Sequence, residues 1–211
     1  MYAGQEGKEL EGLSDMIRYF LYKQIYPDDD LFDAPLDECP QFRGKIRTHY
    51  SARAIYYSPS ELSGSGGMHS EVIRSHPSWY NGYERRDTVL VQDGPEDDRM
   101  GGILVARIIR LLSFSYNDTF YPCALVEWFI PCGEEPDPIT GMWIVKAEIS
   151  RGKRTREVIH LESIIRACHL IGVYRNDHIP TDFHFSFTHN SFQYFYLNKY
   201  IDYHSHESLP S

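Results

Sequence analysis

Trp79, Tyr80 and Tyr83 fall within one short polar stretch, Ser78-Trp79-Tyr80-Asn81-Gly82-Tyr83. Large rings displayed by a loop can surround a methylated ammonium, because a cation is attracted to the electron-rich ring face. They can also stack on bases. The plainer role for such rings is packing, and that role is expected for Trp128 and Trp143, which lie in apolar runs. A second chemistry sits in Arg151-Gly152-Lys153-Arg154-Thr155-Arg156. Its basic side chains Arg151, Lys153, Arg154 and Arg156 could contact phosphate. A solvated hairpin tip would have the same composition.

Metal, nucleophilic and phosphate-loop chemistry find less support. The ten histidines invite a zinc site, which needs three or four converging ligands. His204 and His206 stand at strand spacing, and His160 and His169 bracket a segment ending beside Cys168. Neither arrangement has a clean second pair, so scattered structural or surface histidines are expected. Gly64-Ser65-Gly66-Gly67 is not a nucleophile elbow, since position 63 is Ser. It reads as a tight turn or a backbone nest for an anion. Cys123 lies in an apolar strand, where an inert buried thiol is the ordinary state. There is no Gly-x-x-x-x-Gly-Lys-Ser/Thr loop and no dinucleotide fingerprint. Asp28-Asp29-Asp30 reads as a solvated charge run. No catalytic residue, metal or cofactor is expected.

The 211 residues suffice to bury a core without cross-links. A net charge of −9 argues against a polybasic nucleic-acid binder, although a local basic patch can still touch phosphate. Cys39, Cys123, Cys132 and Cys168 are far apart and irregularly spaced, which suits a reducing compartment rather than a disulfide framework. No stretch approaches the roughly 18 apolar residues of a membrane span. The first residues are polar and unlike a secretory signal. An intracellular, soluble protein without a membrane partner is expected.

The elements that must position these residues are mostly strands. Leu13, Met16, Ile17, Phe20, Leu21 and Ile25 recur at helical spacing and predict a helix over 9–26. Pro27 ends it, and residues 27–44 read as an acidic linker or surface strap. Strands are expected at His49–Tyr57, Thr88–Gln92, Ile103–Ser115, Phe120–Ile130, Met142–Ile149, Glu157–Leu161 and Leu170–Tyr174. The strand from Ile103 is long enough to bend at a bulge. Short helices are expected at Met68–Arg74, ending before Pro77, and at Glu162–Cys168. Ser191 as N-cap, with Phe192, Phe195 and Tyr196 at helical spacing, favours a helix between Asn190 and Tyr203. The fold class expected is mainly β: a distorted antiparallel barrel with an N-terminal helix and a few short helices. The expected organisation is helix and strap over 1–44, one β-domain over 45–206, and a frayed tail over 207–211.

Two resemblances follow from the order of short motifs. The series runs Ser60-Glu61-Leu62-Ser63-Gly64-Ser65-Gly66-Gly67-Met68, Ile73-Arg74, Pro77-Ser78-Trp79 and Val105-Ala106-Arg107-Ile108. It continues with Tyr121-Pro122-Cys123-Ala124-Leu125-Val126-Glu127-Trp128-Phe129, Gly141-Met142-Trp143-Ile144-Val145 and Val158-Ile159-His160-Leu161. Ala167-Cys168-His169-Leu170-Ile171 and Tyr196-Leu197-Asn198-Lys199-Tyr200 complete it. Over roughly 45–206 this resembles the C-terminal region of transposase-like proteins of Plavaka-type elements in mushroom-forming fungi. Val89-Leu90-Val91, Ala106-Arg107-Ile108, Val126, Trp128, Phe129, Ile164 and Cys168 also resemble the strand layout of a bromo-adjacent homology (BAH) domain. The second resemblance implies a non-enzymatic nuclear module that binds a chromatin protein or peptide, with Trp79, Tyr80 and Tyr83 as the candidate ligand-binding rings. The first implies an alternative, DNA contact by an accessory part of a transposase through Arg151, Lys153, Arg154 and Arg156. A nuclease core would need a carboxylate trio on its own α/β domain, and the residues before the β-domain show no such pattern. A metal-dependent hydrolase using the histidines is the remaining alternative.

Overall fold

The computed structural model describes residues 10–27, 35–58, 65–95, 99–174, 183–184 and 188–209. Its helices are α1 (Leu13–Ile25), α2 (Thr188–Ser191) and α3 (Tyr203–Ser208). Its strands are β1 (Arg47–His49), β2 (Ser51–Tyr57), β3 (Met68–His76), β4 (Arg85–Arg86), β5 (Thr88–Gln92), β6 (Ile103–Tyr116) and β7 (Thr119–Pro131). The series continues with β8 (Ile144–Ala147), β9 (Ile149–Ser150), β10 (Lys153–Arg154), β11 (Arg156–His160), β12 (Ile164–Cys168), β13 (Leu170–Gly172) and β14 (Phe195–Leu197).

The long hairpin β6–β7 organises the rest. Asn117 and Asp118 both take positive φ, 48° and 62°, which gives the two-residue turn whose twist matches the strands it joins. The register slips by one residue between Ile108 and Arg110, and this bulge lets the hairpin bend. On one side of the bend β6 pairs with β5, on the other with β1. β7 divides its free edge in the same way between β11 and β8.

The main sheet runs β12-β5-β6-β7-β8-β14-β13. Its two ends, β12 and β13, are consecutive in the chain and separated by His169 alone. Asn198 donates its amide to the His169 carbonyl at 2.9 Å. The sheet thereby curls into a nearly closed antiparallel barrel. Leu90, Val105, Phe129, Val145, Leu170, Phe195 and Leu197 fill one core, with Phe129 and Phe195 edge to face at 5.7 Å. On the bent-out half of the hairpin, Leu13, Ile17, Phe20 and Leu21 of α1 pack against Leu112, Phe114 and Leu125. Each such buried side chain contributes about 1.5–3 kcal/mol. Arg18 ties the residues after α1 to the helix by donating to the carbonyls of Leu36, Cys39 and Pro40, so 35–42 lies along the helix as a strap. Trp128 and Trp143 are both buried.

Several expectations are corrected. Met68–Arg74 is strand, not helix, because it pairs along its length with β2, from Tyr57 opposite Met68 to Ser51 opposite Arg74. Glu162–Cys168 contributes only a single 3-10 turn at Leu161–Ser163 before β12. The segment from Asn190 to Tyr203 is not one helix: Ser191 ends the short α2, and Phe195–Leu197 forms β14 between β8 and β13. The expected frayed tail is helical through Ser208, with Leu209 only 3% exposed. Asp28-Asp29-Asp30 and Gly64 lie outside the described residues.

Candidate functional site

The loop after β3 is tightly built. Trp79–Asn81 form a 3-10 turn closed by Gly82 N–H donating to Trp79 O and by Trp79 N–H donating to Tyr83 O, both at 2.9 Å. Tyr80 and Asn81 sit in the left-handed region, at φ 50° and 60°. Asn tolerates that conformation, whereas for Tyr it costs about 1–2 kcal/mol. Arg74 and Arg85 lie over the Trp79 ring, 5.1 and 5.2 Å from its centroid. Asp87 fixes both ends of this clamp: Oδ1 accepts from Arg85 Nε and Oδ2 from the Arg74 amide, each at 2.8 Å. Tyr80 touches Trp79 edge on, with centroids 4.7 Å apart, and is 88% exposed. Tyr83 is exposed and lies against His184 at 4.3 Å. The rings therefore pair as Trp79 with Tyr80 and Tyr83 with His184. They do not wall one cage, and Trp79 already holds the chain's own cations.

The basic turn divides in two. Arg151 and Gly152 take φ 51° and 76°, a two-residue turn joining β9 to β10, and Arg151 and Lys153 are exposed. Arg154 and Arg156 turn inward. Arg156 donates from Nε and Nη2 to Glu127 Oε1, at 3.1 and 2.8 Å. Arg154 donates from Nη2 to the His189 carbonyl at 2.7 Å, with its Nη1 3.9 Å from Glu127 Oε2 and its guanidinium 5.7 Å above Phe129.

These two regions, separate in the sequence, are joined by residues that motif reading missed. Arg107 of β6 stands opposite Glu127 of β7. Its Nη2 meets Glu84 Oε1 at 3.3 Å, and Arg86 meets Glu84 Oε2 at the same distance. Arg107 Nη1 and Arg154 Nη2 both donate to Asn190 Oδ1, at 3.4 and 3.5 Å. A continuous polar path thus leads from the Tyr83–Glu84 loop through Arg107 to Arg154. Arg107 and Glu127 carried one signal: each is a charge inside an apolar strand run, where burial obliges a partner. Nothing in the sequence marked Asn190 or His189. Burial lowers the Arg107 pKa, and Glu84 and Glu127 oppose the shift. Burial first, then Arg107 and Arg154, push His189 down to about 4, so its imidazole is neutral near pH 7.

Several of the described histidines and cysteines are engaged or buried within the fold. Arg166 is buried, donates to both oxygens of Asp202 at 2.9 and 2.6 Å, contacts His204 Nδ1 at 3.0 Å, and lies over Tyr56. His160 Nδ1 accepts the Glu162 amide as the cap of the 3-10 turn. Among the described residues no three His, Cys, Asp or Glu side chains gather as metal ligands. Burial pushes the thiols of Cys123 and Cys168 up to about 12, which suppresses the nucleophilic thiolate. No described helix is long and apolar enough to cross a membrane. No protein-family model, curated protein or solved structure matches the chain.

Proposed function

We propose that this protein is a non-enzymatic interaction module that binds a chromatin protein or peptide through the loop carrying Trp79, Tyr80 and Tyr83. One observation carries the reading: Tyr80 is presented to solvent, 88% exposed, on a strained left-handed backbone. Strain of this kind persists where surrounding structure enforces it, and it clusters at sites that act. Here the enforcing structure is the Arg74–Trp79–Arg85 stack and its Asp87 anchor. Tyr, Trp and Arg are also the residues that dominate binding energy in interfaces. The chromatin class and a nuclear location come from the BAH-like layout of strands, and an origin in a transposase-like protein comes from the wider motif order.

Because Trp79 is already occupied by two guanidiniums, recognition rests on Tyr80 and Tyr83 as contact surfaces, not on a three-ring ammonium cage. The DNA alternative is weakened by the inward turn of Arg154 and Arg156, which leaves Arg151 and Lys153 as the outward cations of that turn. A panel of core-histone tail peptides, assayed by fluorescence anisotropy, tests the proposal. Binding of at least one peptide, reduced about tenfold or more by Tyr80→Ala, is the expected result. No binding by any peptide, or binding indifferent to Tyr80→Ala, would overturn it.

A further inference from the structure

The environment of Arg107 and Arg154 is short of acceptors. Arg107, with a side chain only 7% exposed, meets a carboxylate at 3.3 Å, and that carboxylate, Glu84, also serves Arg86. Glu127 directs its short bonds to Arg156 and stands 3.9 Å from Arg154. The amide oxygen of Asn190 is shared between the two arginines at long distances, 3.4 and 3.5 Å. Among the described residues, three buried nitrogens of this cluster have no hydrogen-bond partner: Arg107 Nε, Arg154 Nη1 and His189 Nδ1. A buried donor without an acceptor costs about 1–3 kcal/mol, and more when it is charged. Three in one cluster, with no acceptor among the described residues, suit a bound acceptor.

The surroundings offer a route in. The Arg154 side chain is 24% exposed, and Asn190 is exposed. A guanidinium fork presents paired N–H groups to an oxyanion with fitting geometry. A neutral imidazole donates from Nδ1 in one tautomer. We infer that Arg107, Arg154, His189 and Asn190 form a binding site for a single oxyanion, a carboxylate or a phosphate. It uses none of the loop's three rings and does not depend on peptide binding there. The anion would supply the acceptor missing from Arg107 Nε and Arg154 Nη1 and neutralise cations that Glu84 and Glu127 serve only in part.

The test uses the full chain at neutral pH, with inorganic phosphate and, separately, acetate as probes. Isothermal titration is paired with the NMR signals of the His189 ring. Saturable one-site binding with a dissociation constant on the order of 1 mM and a matching His189 shift are expected. Phosphate alone saturating the site assigns phosphate; acetate saturating it as well assigns the carboxylate class. Arg154→Gln should weaken binding about tenfold or more, while Lys153→Gln on the neighbouring exposed position, and Tyr80→Ala, leave it unchanged. If Arg154→Gln does not fold, the His189 response of the unaltered chain carries the test. Absence of saturation at concentrations about a hundredfold above that constant, or equal weakening by Lys153→Gln, would overturn the site.

Discussion

Glu127 and Arg156 face each other across β7 and β11, and both Nε and Nη2 of Arg156 donate to the same carboxylate oxygen, Oε1. Arg107 stands opposite Glu127 on its other side, in β6. Three adjacent strands thus carry the row Arg107–Glu127–Arg156 through a part of the sheet where Glu127 is 4% exposed.

Removing the central charge should therefore be costly. Glu127→Gln deprives Arg156 of the carboxylate it donates to and removes a negative charge from beside Arg107 and Arg154, and breaking a buried pair from one side costs about 3–5 kcal/mol. Urea unfolding followed by tryptophan fluorescence should show a lower midpoint with an unchanged slope. A midpoint equal to that of the unaltered chain would show that the row is not structural.

His189 gives a pH dependence of known sign. Its folded pKa is depressed to about 4 from 6.5, so the unfolded chain takes up a proton first as pH falls. The contribution of neutral His189 is present above pH 6.5 and is lost progressively between 6.5 and about 4, with a slope of up to about 1.4 kcal/mol per pH unit. His189→Asn should flatten that slope in unfolding measurements across the same window.

Asp202 ties the start of the C-terminal helix to the sheet. Asp202 accepts two hydrogen bonds from Arg166 and caps α3 by accepting the Ser205 amide at 2.7 Å. Although burial raises its pKa, the bonds from Arg166 and Ser205 together hold it below the ordinary value of 3.8. The contribution of the charged form is present above 3.8 and lost as pH falls through the lower folded value. Asp202→Asn should release 203–209, read as faster amide hydrogen exchange there with little change in β6 and β7.

Gly102 is fixed by space as well as by dihedral. It sits at φ 68°, and a Cβ on it would overlap the carbonyl oxygens of Gly94 and Pro95. Its own carbonyl accepts from the Asp93 and Gly94 amides. Gly102→Ala should cost about 2 kcal/mol or more, measured as a fall in thermal midpoint.

Strand periodicity made the barrel legible where apolar runs were long. Thr88–Gln92 matches β5 at both ends, and the β6 and β7 ranges agree within a residue or two. Legibility failed where pairing overrode local pattern. Met68–Arg74 carries a mixed sequence that is strand because β2 lies beside it, and Phe195–Leu197 is strand because β8 and β13 need an edge between them. For the site, Trp79, Tyr80 and Tyr83 could be singled out from loop composition. Their pairing with Arg74, Arg85 and His184 could not, because those contacts depend on the turn of the loop. Arg154 and Arg156 looked solvated because the buried acceptor, Glu127, lies in a distant apolar run.

Tyr80→Gly is the measurement that bears most directly on the proposed role of the loop. Glycine adopts the φ of 50° found at this position without steric cost, so stability should rise by about 1 kcal/mol while the exposed ring is lost. The expected result is a higher thermal midpoint together with loss of binding to the core-histone tail peptide that the unaltered chain binds best. A variant that is more stable and binds that peptide as tightly as before would contradict it.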